Sequence, residues 1–398
     1  MDGVTFRPGS EYPYVARNTC VSFDSEAGAW RGLSDSDELQ TDYFWRDKKG
    51  KWQQGSLDQM NQAQKADSHR FQFVVVTPPA IPKPPTNVRP VPKDIHYFWA
   101  GGELPDRLIK NMNKNAKKMP EFKSIVHVDA DTPELFQAIK LKMEKDAPGV
   151  TVMNLHEDDF FTQLKNTELY SYFRQGQGKN LAATSDVARY PLMNKYGGIY
   201  LDTDDQIKGA IGAAGLNAGD SDILLNHPVA HQLTDYKPFY NTSNFATQPN
   251  NPVMTEMISE MNRRFTANKT YFENHRPTIT RNAQGGYSLT PEFQTYERKV
   301  FETVGPLMFD DTLKSTRPDI YDVGFDGATK DIRFIDGDEN FRAKPFDMEK
   351  EIRKYYQSKG LKAPIGLKKK IQEAKQHYRA FRDQLKVKIG SEHSWLDS

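Results

Sequence analysis

The chain has 398 residues, with 54 Lys plus Arg against 53 Asp plus Glu; a formal charge of +1 gives it none of the basic excess of a polyanion binder, so nucleic acid is not an expected partner. An aromatic content of 12% separates it from disordered sequences, and its single cysteine, Cys20, excludes an internal disulfide and a cysteine-based zinc cluster. No run approaches the ~18–20 apolar residues of a membrane helix, and Met1 to Ser10 lacks the basic and apolar regions of a signal peptide.

In chain order, residues 1–76 read as a polar, irregular but ordered N-terminal extension with aromatic patches such as Tyr43-Phe44-Trp45, ending in a strand predicted over 71–76. Seven of the sixteen residues from 77 to 92 are proline, which fixes φ and removes backbone donors, so an extended linker is expected there. Asp94-Ile95-His96-Tyr97-Phe98-Trp99 then predicts a buried strand stopped by Gly101-Gly102, followed by a helix over 107–118, a strand over 124–128 and a helix over 133–145. Strands alternating with helices imply a mainly parallel sheet covered on both faces. Residues 181–195 predict a helix closed by Tyr196-Gly197-Gly198, where glycine supplies the positive φ of a helix end. The strand Ile199-Tyr200-Leu201 runs from there into acid. Beyond it, 222–225 read as strand, 253–265 as helix, 271–294 with little periodicity, and 346–388 as largely helical and basic.

The acidic strand end carries the chemistry. Asp186 and Arg189 stand three apart on one helix face, among apolar neighbours where both need a partner. At the strand's C-terminal end, Asp202 and Asp204 point the same way because side chains alternate with period two, and they offer oxygens to a hard divalent cation at the sheet's carboxyl edge. Asp336-Gly337-Asp338 reads instead as a solvated turn. Gly176-Gln177-Gly178-Lys179 lacks phosphate-loop spacing, and His156 has no second histidine four residues on for a zinc-protease pair.

The run from Leu181 to Asp205, with Ile95-His96-Tyr97-Phe98-Trp99-Ala100-Gly101-Gly102 upstream, resembles the sugar-nucleotide region of Asp-x-Asp glycosyltransferases. Among these it is most similar to the glycosyltransferase domains of large clostridial cytotoxins and of Photorhabdus and Yersinia toxins. The resemblance implies an α/β fold: a GT-A-like, Rossmann-type mixed sheet flanked by helices over 93–345, with the extension before it and a basic helical segment and C-terminal lid over 346–398. It implies that Trp99 stacks on uracil, Asp186 holds ribose or sugar hydroxyls, Arg189 meets the sugar and diphosphate, and Tyr200 meets the phosphate. Asp202 and Asp204 would hold Mn²⁺ or Mg²⁺, and Asn244 would reach the transferred sugar, with the small Ser243 beside it leaving room for an N-acetyl group. His393 would complete the metal shell and Trp395 cover the leaving group. Asp205 stands where the family has no acid and is expected to be solvated. Gly305-Pro306 matches the family's turn near the acceptor.

The implied function is metal-dependent, retaining transfer of GlcNAc or glucose from a UDP-sugar to a hydroxyl of a host protein, such as a Rho-type small GTPase. Asp186, Arg189, Asp204 and Asn244 would be catalytic. The enzyme would be secreted or injected by a bacterium and act in the host cytosol. Synthesis of a bacterial glycolipid or capsular glycan, and sugar-nucleotide binding without turnover, are the alternatives. The eight basic residues against two acids from Lys368 to Lys388 allow weak contact with a membrane surface, though a solvated helix face is the simpler expectation.

Overall fold

The computed structural model describes residues 80–230, 238–273, 290–327, 346–358 and 362–390 continuously, together with 4–5, 21–24, 29–32, 42–47, 49, 52–66, 72–76, 277, 280–281, 287–288 and 333–334. The central sheet takes its strands from β1 (Asp94–Gly101), β2 (Lys123–Ala130), β3 (Val150–Asn154), β4 (Gly198–Leu201), β6 (Ile223–Leu225) and β7 (Asn244–Thr247). Their order is β3-β2-β1-β4-β7-β6, parallel through the first four, with β7 antiparallel to both its neighbours. A mixed sheet flanked by helices is thus the GT-A-like arrangement that the motif implied. It sets the carboxyl ends of β1 and β4 side by side, where open α/β sheets bind ligands.

Period-two alternation divides the core. Ile95 and Tyr97 of β1 join one buried cluster with α1 (Asp106–Lys118), while Phe98 and Ala100 join the other with α3 (Leu181–Tyr196). Helix α1 forms because Leu108, Ile109, Met112, Asn115 and Ala116 recur at helical spacing and are all buried. Helix α3 is buried on most sides, so its apolar residues show almost no preferred face. It begins at Asn180, whose side chain accepts the Ala183 N–H, and ends at Gly197 with φ +65°. At Gly198, φ +84°, a side chain would run into the Asp94 carbonyl, so only glycine lets the chain turn directly into β4.

Residues 1–76 depart from the irregular extension expected of them. Val4–Thr5, Gln72–Val76, Asp42–Arg46 and Trp52–Gly55 pair into an antiparallel sheet, with a helix at Leu57–Ala66. Tyr43-Phe44-Trp45 therefore lies within a strand. Residues 80–85 of the proline-rich stretch carry no regular secondary structure, and Arg89–Pro90 then pairs with Asn217–Ala218.

The basic segment is built into the core. Leu367, Ile371, Ala374 and Tyr378 of the helix α4 (Leu367–Tyr378) join the α3-side cluster, whereas Phe381, Leu385 and Val387 reach the opposite one. Lys368, Lys369 and Lys370 stay exposed on its outer face. The chain then enters β8 (Lys386–Lys388), which pairs antiparallel with β5 (Gln206–Gly209) immediately after the acidic motif. Among the described residues no helix is long and apolar enough to cross a membrane.

Candidate active site

The acidic motif does not continue the strand. β4 stops at Leu201, and the Asp205 N–H returns to the Asp202 carbonyl at 3.0 Å, so Asp202-Thr203-Asp204-Asp205 is a tight turn. Strand alternation therefore is not what groups these carboxylates, and the period-two expectation is corrected to a turn at the strand's end. Helix α1 fixes that turn from below. Asn111 Nδ2 donates to the carbonyls of Thr203 and Asp205, both at 2.8 Å, and one helical turn on, Asn115 Nδ2 donates to Asp205 O at 2.8 Å while its Oδ1 accepts Ile207 N–H at 2.9 Å. Asn115→Leu preserves the volume yet strands the buried Ile207 N–H, so urea denaturation is expected to report a loss of about 1–3 kcal/mol.

Arg189 links the turn to α3. Its Nη1 is 2.9 Å from Asp186 Oδ1 and donates to Thr242 Oγ1 at 2.5 Å; its Nη2 donates to Asp202 Oδ1 at 3.2 Å; and the guanidinium lies 5.0 Å from the centre of the Tyr200 ring. Asp186 and Arg189 are buried, whereas the Asp202 side chain keeps 30% of its surface. Burial alone would lower the guanidinium's pKa, but the carboxylates of Asp202 and Asp186 outweigh it and hold Arg189 charged. Burial pushes Asp186 up to about 7 against the pull of Arg189, and pushes Asp202 up to about 6 with help from Asp204. Asp205 is driven well up by burial and by Asp202 and Asp204.

A raised carboxyl makes the folded state bind more protons than the unfolded one, so its contribution to stability falls as pH rises from about 4 through 7. Asn cannot titrate. The melting temperature of Asp186→Asn relative to the wild type, measured in chelator, is therefore expected to climb between pH 5 and pH 8; a flat difference would contradict the raised value.

The predicted site residues are brought together. Tyr200 faces the core, fully buried and stacked on Phe245, with its hydroxyl 3.0 Å from Ser185 Oγ. Its ring supports Arg189 from beneath, and its hydroxyl also hydrogen-bonds the Asp202 side chain at the start of the turn. Asn244 is likewise buried and fully engaged. Its Nδ2 donates to Asp205 Oδ2 and to Ser243 Oγ, both at 2.9 Å, and its Oδ1 accepts from Asn226 at 2.6 Å, so it braces the turn. Asp205, expected to be solvated, is 0% exposed; its Oδ1 accepts the Gly390 N–H at 2.9 Å. Trp99 sits half-buried at the end of β1 with its indole N–H on Gly102 O at 2.9 Å. Gly305, the cap of the helix at Pro306–Thr316, lies against Asp186, where a methyl group would crowd the carboxylate.

His393, Trp395 and Asp336-Gly337-Asp338 lie outside the described residues. The reading from sequence missed Asn111, Asn115, Thr242 and Asn226; a pair of asparagines four apart on the buried face of α1 was the available signal.

The donor set suits a hard divalent cation. Asp202 and Asp204 supply carboxylate oxygens close enough to each other and to Asp205 to repel, while Asp186 and Asp202 meet the guanidinium of Arg189. Among the described residues no group of three His, Cys, Asp or Glu is placed to hold a metal ion together.

Residues 105–227 match the family described as the glycosyltransferase sugar-binding region containing the DXD motif. A toxin of Photorhabdus asymbiotica is 30% identical over 173 residues, which is 42% of this chain and 6% of that protein. Toxin Afp18 of Yersinia ruckeri is 28% identical over 176 residues, 42% of this chain and 8% of that one. The chain thus spans less than a tenth of the length of these curated relatives. The solved PaToxG glycosyltransferase is 19% identical, with a TM-score of 0.48 over 75% of this chain and 91% of that one. Asp202-Thr203-Asp204 lies inside the stretch that matches the glycosyltransferase sugar-binding region containing the DXD motif, and the curated relatives this chain resembles are toxins.

Proposed function

We propose that the chain uses Mn²⁺ or Mg²⁺ to transfer GlcNAc or glucose, with retention of configuration, from a UDP-sugar to a hydroxyl of a host protein. A Rho-type small GTPase is the acceptor to test first. The observation that carries this reading is Arg189, held charged between Asp186 and Asp202 at the rim of the acidic turn. Breaking a sugar-nucleotide bond leaves extra negative charge on the diphosphate, so a fixed cationic group there stabilises the leaving group in the transition state. A divalent cation held by Asp202 and Asp204 would supply further positive charge when bound. Asp186 would orient donor hydroxyls, and Asn244 would act through Asp205 by keeping the turn in shape.

His393 and Trp395 follow Gly390, which packs against Asp204, by three and five residues; this supports retaining them as the ligand and cover of the leaving group. Delivery from a bacterium into the host cytosol belongs to the same proposal and rests on the toxin relatives. Weak contact of Lys368, Lys369 and Lys370 with an acidic membrane surface is a subsidiary part of it.

Incubating the protein with eukaryotic lysate and radiolabelled UDP-sugars is expected to label a discrete protein band. Label confined to lipid or polysaccharide would favour glycan synthesis, and UDP binding without turnover would favour a non-catalytic module. Trp99→Ala is expected to raise the donor KM about tenfold with a smaller fall in kcat, because base stacking is made in ground and transition states alike. Steady-state kinetics that gave the reverse split would remove Trp99 from the uracil.

A further inference from the structure

We infer that Asp205 is a positioning residue: its carboxylate clasps the end of the C-terminal strand, at Gly390, onto the acidic turn and so holds Asp202 and Asp204 where the donor would meet them. The pairing register begins the case. Gln206 is paired with Lys388 in the antiparallel ladder between β5 and β8, so continuing that ladder brings Gly390 back to Asp204. No backbone pair closes this last step; the Asp205 side chain does so by accepting the Gly390 N–H at 2.9 Å. Its other oxygen accepts from Asn244, which accepts in turn from Asn226, so the clasp is braced against β7 by a buried amide chain.

A side chain at 390 would displace the Asp204 carboxylate, so glycine lets the strand end approach the turn this closely. A solvated acid would need none of these partners, and Asp205 is wholly buried. The function of the clasp rests on the proposed donor reaction, whereas its existence does not.

Two readouts separate these. Hydrogen exchange of the full-length protein needs no substrate: Asp205→Asn, which offers an amide N–H to at least one of two donors, is expected to speed exchange in 386–390 while leaving α1 unchanged. Gly390→Ala should reproduce that pattern from the opposite partner, and it remains informative should Asp205→Asn fail to fold. Unaltered exchange in 386–390 for Gly390→Ala would overturn the clasp.

Kinetically, Asp205→Asn is expected to raise the donor KM about fivefold, the worth of one net hydrogen bond, with kcat much less changed. A fall in kcat as large as the rise in KM would also overturn the inference. A wild type with no donor turnover would refute the proposed activity and leave the exchange result to decide the clasp.

Discussion

Asp204→Asn is expected to lower UDP-sugar turnover by at least about 10²–10³ while leaving the thermal transition close to that of the wild type; a loss of this size follows removal of one preorganised group facing a developing charge. Asp204 lies in the turn that follows β4 and keeps part of its surface, so a near-isosteric amide can be accommodated there. The amide oxygen is a weaker ligand for a hard cation than a carboxylate. Release of UDP, followed chromatographically with saturating Mn²⁺, is the measurement. Wild-type turnover in a folded variant would remove Asp204 from the reaction.

The second large effect belongs to Arg189. Truncation to alanine leaves Asp186 buried and both Asp186 and Asp202 without their cation, and breaking a buried pair in this way costs about 3–5 kcal/mol. Arg189→Ala is therefore expected to lose both stability and turnover. Arg189→Lys is expected to recover part of the stability and little of the activity. One ammonium is a point charge and cannot span Asp186, Thr242 and Asp202 as the planar guanidinium does. Chemical denaturation and donor hydrolysis measured on both variants separate the two effects. Full activity in Arg189→Lys would mean that charge alone, not the bridging geometry, is what the site requires.

What was legible from sequence was local. The helix from Leu181, Gly197-Gly198 at its end and the aromatic strand beyond specify one another within a few residues, and the acids follow directly. The alternation of strands and helices from Asp94 to Asp146 likewise announced a parallel sheet. The fate of each acid was not legible in the same way. Whether the chain continues as a strand after Leu201 depends on Asn111 and Asn115, more than 85 residues earlier, which bind the carbonyls of Thr203 and Asp205.

The burial of Asp205 depends on Gly390, 185 residues later. The resemblance assigned Tyr200 to the phosphate; that its ring packs in the core on the α3 side of β4 depends on tertiary neighbours the local sequence does not show. The N-terminal sheet was missed for the same reason, since Val4–Thr5 pairs with Gln72–Val76 across nearly the whole extension.

The central claim is that this turn holds a divalent cation against a departing nucleotide diphosphate. Its most direct test is UDP release from UDP-GlcNAc and UDP-glucose by the purified protein, first stripped with EDTA and then resupplied with Mn²⁺ or Mg²⁺. The account predicts release that vanishes with the chelator and returns with either ion. Release that persists unchanged after stripping would contradict it.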